Sequence, residues 1–346
     1  MRSTRLPSWI ERLAGTAAIA APPHAFLLEA GRLAYGRTVQ EDGPARLLEH
    51  AAVELPPQTF LSGLVGGPLR DERGLDEPLA ELLGRLSGPV EAASLVLPDS
   101  WFRIAFTEAG DLPRDRAQRE DLLRWKLKRL VPFRVEELRI RGVEVTPLSP
   151  QAINPADPAN PASREESRRL MLGFALELLM NQLEAAFGRA GVHLGRISNA
   201  SLSTLAAVAG RLGDGLAALA VVRDEGYTLT FARRGEPVIH RFKPAAGEMP
   251  FAARERLVVR DLKMTRAFLA EHLPDAALDH AVLAVPPDLE GAWQGWLEAS
   301  LDVPVEILGA GHVPVANPQD TVGRADGAGI WSEVAPLVGA ALKEIA

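Results

Sequence analysis

No cysteine occurs in the 346 residues of this chain. That excludes disulfides, thiolate catalysis and cysteine-ligated zinc or iron–sulfur sites. No uncharged apolar run approaches the ~18 residues that suggest a membrane span. A basic excess is also missing: the net charge is -7, so there is no overall footprint for nucleic acid. Neither a phosphate-binding GxxxxGKS/T loop nor a GxSxG nucleophile elbow is present. Gly309-Ala310-Gly311 follows a strand-like run, but the stretch from Pro314 offers no helix to receive a pyrophosphate, so a dinucleotide site is rejected. Glu271, His272, Asp275, Asp279 and His280 gather around a helix end at spacings that match no common metal site, and no metal is assigned.

What is present is an ordinary globular composition, 47% apolar and 24% charged, in a chain long enough for two domains or one split one. Arg2, Arg5 and Arg12 precede a short alanine-rich run, 13–21. Trp9, Ile10 and Leu13 read as a short amphipathic helix in a cytoplasmic tail rather than a cleaved signal. Strand-like runs at 25–29 and 33–38 flank Gly31, and a helix carries Leu75, Leu79, Leu82, Leu83 and Leu86.

The stretch 95–145 then reads as strand (95–97), extended piece (101–107), helix (113–131, stopped by Pro132) and strand (138–145). A proline-rich loop fills 147–163, a buried strand 169–176, and a helix carries Leu179, Leu183, Ala186 and Phe187. After a helix at 198–210, a meander runs through 216–222, 227–232 and 237–242. A long helix (250–272), a strand (281–285) stopped by Pro286-Pro287, a helix carrying Trp293 and Trp296, a strand (303–308) and a closing helix (331–345) complete the chain. Trp101, Phe102 and Trp125 are read as core residues, and the mixed charges of 114–141 as a solvated face.

Several pieces resemble the PilM-type pilus-assembly proteins, which are actin-like. They are the turn Leu97-Pro98-Asp99-Ser100, the charged helix from Arg119 to Val131 with its stop at Pro132, the Glu136-Glu137-Leu138 turn, the AFGRAGVHLGRISN segment and the RRGEPVIHRF hairpin. The resemblance spans about 25–346. It implies an α/β, actin-like (hexokinase/actin ATPase-type) two-lobed fold with an inserted small β-α-β, SHS2-like domain. The division it implies is a tail at 1–23 and a first lobe from 24–93, 198–212 and 330–346. The inserted domain takes 94–197 and the second lobe 213–329.

In actin-like ATPases two hairpins, each with an acid and a glycine turn, cradle the phosphates and Mg²⁺, and a later glycine pair admits the adenosine. The chain departs at all three places. The first hairpin has Glu29-Ala30-Gly31 followed by Arg32-Leu33. In the second, the acidic position falls on Val221 and the turn glycine on Arg223, unless a register shift brings in Asp224-Glu225-Gly226. At the third stands Pro286-Pro287, which offers less N–H and more bulk. Glu29, Gly31, Asp224 and Gly226 are vestigial nucleotide-site residues at most. The resemblance therefore implies a pseudo-ATPase with no catalytic residues, no metal and no cofactor.

It further implies a cytoplasmic scaffold, peripheral to the inner membrane, of a type IV pilus or related secretion assembly. Such a scaffold binds the N-terminal tail of a PilN-like single-span partner in a groove beside the inserted domain, and it meets other pilus alignment or motor components. Its membrane association is indirect, and the cytoplasmic part of GspL secretion proteins is related to the family. The alternatives are an active actin-like ATPase or sugar-kinase relative using Glu29 and Asp224, and an FtsA-like division or polarity protein. The tail from Pro336 fits a closing helix better than FtsA's membrane helix.

Overall fold

In the computed structural model the first two apolar runs close a hairpin on Ala30-Gly31, from β1 (His24–Glu29) to β2 (Arg32–Val39). β3 (Arg46–Glu54) continues the meander, and β4 (Ala92–Leu97) and β8 (His193–Asn199) add in parallel on the other side. The order is β3-β2-β1-β4-β8. A second sheet repeats this plan. β9 (Leu216–Arg223), β10 (Gly226–Arg233) and β11 (Glu236–Pro244) form its meander, with β12 (Leu278–Ala284) and β13 (Val305–Ile307) parallel beyond β9. Its order is β11-β10-β9-β12-β13. Central strands in such sheets are covered on both faces, so β9 reads LAALAVVR with only its last residue not buried. The structure describes residues 21–40, 45–61, 63, 66–132, 134–145, 169–244, 250–273, 276–313 and 329–342. The expected N-terminal helix, the proline-rich loop and Asp275 lie outside the described residues.

The inserted unit follows β4. It comprises β5 (Phe102–Glu108), β6 (Leu138–Val145) and β7 (Arg169–Leu176), an antiparallel sheet ordered β5-β7-β6. With α1 assigned to Asp76–Gly84 in the first lobe, the inserted helix is α2 (Arg116–Lys128). Asp115 caps α2 by accepting from the Gln118 N–H at 2.9 Å. Leu123 and Leu127 pack on Ile140, Leu172 and Phe174. Trp101 is buried as expected, at 8% exposure. Trp125 is not: two residues from each of the packed leucines, it falls on the opposite face and is 56% exposed.

The expected boundary of 94–197 for this unit is too wide. β4 and β8 pair within the first lobe's sheet. α3 (Glu177–Arg189) buries Leu179, Leu183 and Phe187 against Phe26 and Leu95 of that lobe. A strand and a helix flanking an insertion have the same apolar pattern whichever side they pack on. Between the two sheets lie α4 (Ala200–Val208) and α7 (Gly329–Ala341), whose apolar residues join Leu47 of one sheet to Val221 and Val282 of the other. α5 (Phe251–His272) and α6 (Glu290–Leu301) cover the outer face of the second sheet. Among the described residues no helix is long and apolar enough to cross a membrane.

Candidate functional site

The two hairpin turns approach each other between the lobes. In the first, Glu29 pairs with Arg32 across Ala30-Gly31; in the second, Arg223 pairs with Gly226 across Asp224-Glu225. The structural counterpart of Glu29 is therefore Arg223. The register that puts Val221 at the acidic position is two residues off, since Val221 lies buried inside β9 opposite Thr228.

These counterparts meet across the cleft. Arg223 Nη1 donates to Glu29 Oε1 at 2.8 Å, and its Nη2 donates to the Ser332 carbonyl on α7. The side chains are 12% and 29% exposed. Glu225, at the place of Gly31, is partly buried. Burial pushes its carboxyl up to about 7, against the neighbouring Arg223, with Asp99 and Glu29 adding to the rise. Asp224 is exposed at the tip of the turn. A Cβ on Gly31 would meet nothing within 4 Å, so the glycine there answers no steric demand. β12 runs into Pro286-Pro287, and a short 3-10 turn (Pro287–Leu289) leads to α6. A carboxylate engaged by a guanidinium, a second carboxyl at the turn glycine's place and a proline pair form a poor seat for Mg²⁺ and phosphate, which want free oxygen ligands and free N–H donors. Among the described residues no three His, Asp or Glu side chains are placed to hold a metal ion.

A buried trio beside this cleft escaped the sequence reading. Ser201 Oγ donates to Asp99 Oδ1 and lies 2.8 Å from His240 Nε2. All three residues are at most 7% exposed. A hydroxyl that gives its one proton to a carboxylate must accept from the histidine, so Nε2 carries hydrogen and cannot take the serine's proton. The trio is thus a tie between the first lobe's exit turn, α4 and the second lobe rather than a nucleophile. Its one sequence signal was Asp99 in the Leu-Pro-Asp-Ser turn.

A separate groove lies between the inserted sheet and the first lobe, with a cavity of about 250 Å³. Its apolar surface comes from Phe102, Met180, Ile197, Leu202 and Ala340, and its rim from Arg139, Arg141, Glu184 and Arg196. Arg139 is held there by Glu177 at 2.9 Å and by Glu184. β8 forms one wall and is the edge strand of its sheet. No local motif marks this groove, because it is assembled from β5, β6, β7, β8, α3, α4 and α7, which are distant in sequence.

No protein-family model matches the chain, and no curated protein sequence does. Solved structures do. A PilM–PilN type IV pilus biogenesis complex matches with a TM-score of 0.69 and 15% identity, over 94% of this chain and 97% of its own. A protein of unknown function with an actin-like ATPase fold from Bacteroides thetaiotaomicron gives 0.46 and 10%, over 87% and 94%. The cytoplasmic domain of EpsL, an inner membrane component of the Vibrio cholerae type II secretion system, gives 0.43 and 11%, over 90% and 93%. Scores below 0.5 carry no weight for the fold, and identity this low carries none for function. With its twice-repeated sheet plan, its insertion after β4 and the first of these superpositions, the chain has the actin-like two-lobed fold in the form found in the PilM–PilN structure.

Proposed function

We propose that this chain is a non-catalytic scaffold of a type IV pilus or related secretion assembly, cytoplasmic and peripheral to the inner membrane. In this reading the groove beside the inserted domain receives the N-terminal tail of a PilN-like single-span partner. The observation that carries it is the groove itself: an apolar floor, a charged rim and an edge strand along one wall. That combination suits an extended peptide, which buries alternate side chains and pairs its main chain. The pseudo-ATPase part of the reading is supported by Arg223, which occupies Glu29 where a cation-bound phosphate would need it free.

Calorimetry on the full chain tests both parts. The probe is a peptide from the N-terminus of a candidate PilN-like single-span protein. Saturable heat is expected from the peptide and none from Mg-ATP. Ile197→Arg, which puts an unpaired charge on the groove floor, is expected to weaken the peptide at least ~10-fold. No peptide heat from a folded wild-type chain would end the scaffold reading. Mg-ATP heat that disappears in Glu29→Ala would restore the ATPase.

A further inference from the structure

The solvent face of α2 combines cations with exposed apolar side chains. The helix carries Arg116, Arg119, Arg124, Lys126 and Lys128 against Glu120 and Asp121. Both acids are already engaged, Glu120 by Arg116 at 3.3 Å and Asp121 by Arg124 at 3.9 Å. Among the described residues Arg119 and Lys126 reach only main-chain carbonyls, of Pro113 and Glu108. Lys128 and Arg129 have no carboxylate partner among the described residues. In the middle of these cations stands Trp125, 56% exposed, with the Arg129 guanidinium 5.3 Å from its ring centre, and Leu130 is 46% exposed beside the helix end.

Leu123 and Leu127 already fill the packed face, and more than half of Trp125 stays in solvent. An amphipathic ring beside Lys128 and Arg129, which no carboxylate engages among the described residues, is suited to the boundary between lipid headgroups and acyl chains. Arg116 and Arg124 of α2 also share a polar pocket of about 290 Å³ with Arg139 and Arg141 of the groove rim, lined as well by Glu120 and Glu177. All this sits on a chain whose net charge is -7.

We propose that the α2 face of the inserted domain, centred on Trp125, Lys128, Arg129 and Leu130, docks directly on an anionic membrane surface. An acidic protein would satisfy the same cations. Yet Trp125 and Leu130 stand exposed as large apolar side chains among the cations, and a deformable lipid interface accepts them without a matching cavity. The proposal rests on this face alone, and the groove reading requires only that both lie on the side turned to the bilayer.

Flotation of the full chain with vesicles is the test. The chain is expected to float with vesicles containing phosphatidylglycerol, to stay behind with pure phosphatidylcholine, and to be released at 0.5 M salt, where the Debye length is roughly 4 Å against about 10 Å at 0.1 M. Removing Lys128 and Arg129 together, as alanines, is expected to lower partitioning about 25-fold, since each cation near the surface contributes about fivefold. Trp125→Ala is expected to lower it roughly 10-fold. These side chains are exposed, so the variants should melt with the wild type, and the peptide titration should be unchanged in them. A wild-type chain that ignores anionic vesicles overturns the proposal, as does flotation indifferent to both variants. Trp125-dependent capture of polyglutamate without flotation would reassign the face to an acidic protein.

Discussion

At pH 8 the Glu225→Gln variant is expected to melt higher than the wild type, and at pH 4 the two should melt together. The ordinary carboxylate value of 4.5 is raised to about 7 in the folded chain, chiefly by burial. The unfolded chain therefore loses this proton at a lower pH than the folded chain does. Between those values the folded state holds more protons, so stability falls as pH rises. The contribution is intact below about 4.5 and is gone once pH passes about 7. The interval corresponds to about 3 kcal/mol, an upper bound because one edge of the side chain meets water. In a lobe of this size that is roughly 6–10 °C at most. Glutamine keeps the shape and has no proton to lose, so its melting curve should stay flat where the wild type declines. Arg223→Gln should move the other way. It removes the cation facing Glu225 and Glu29 and leaves two neighbouring carboxyls uncompensated. A wild-type melting temperature that does not fall between pH 5 and 8 would refute the assignment of the proton to Glu225. The same titration bears on function: a cleft that already holds an ionising carboxyl beside Glu29 becomes less hospitable to phosphate as pH rises.

Much of the architecture was legible in the sequence because parallel strands under helices are written as unbroken apolar runs. β4, β9 and β12 are such runs, and Pro132 and Pro286 mark where elements stop. β3 was missed for the converse reason. Its RLLEHAAVE has Glu49 and His50 at its centre and buries only Leu47 and Val53, so neither a run nor an alternation stands out. The hairpin acid Glu29 was found, but its partner was not, because a salt bridge between residues 194 positions apart leaves no local trace. Trp125 was misplaced because composition favours burying a tryptophan, while the period of Leu123 and Leu127 turns it outward. The groove was expected only through resemblance, since its lining is brought together by the fold.

A large loss of stability from a single added methyl group is expected at Gly339. A Cβ there would lie 1.8 Å from the carbonyl oxygen of Ser203 and 3.1 Å from the Ala207 nitrogen. Both are backbone atoms of α4, so no side-chain rotation relieves the contact; α7 and α4 must separate. Alanine in place of a helical glycine ordinarily gains about 1 kcal/mol. Overpacking a close helix crossing costs about 1–3 kcal/mol, and more where backbone meets backbone, so the loss wins. Gly295→Ala isolates the favourable part. Gly295 lies on α6 with nothing within 4 Å of its added Cβ, and that variant should melt slightly above the wild type. The crossing also floors the groove, since Leu202, Ser203, Ala206, Gly339 and Ala340 all line it. Gly339→Ala should therefore lower the melting temperature and weaken the peptide together, whereas Gly295→Ala should raise the first and leave the second alone. A Gly339→Ala chain as stable as the wild type would mean that the two helices part without loss, and the groove floor would then be a yielding surface rather than a fixed one.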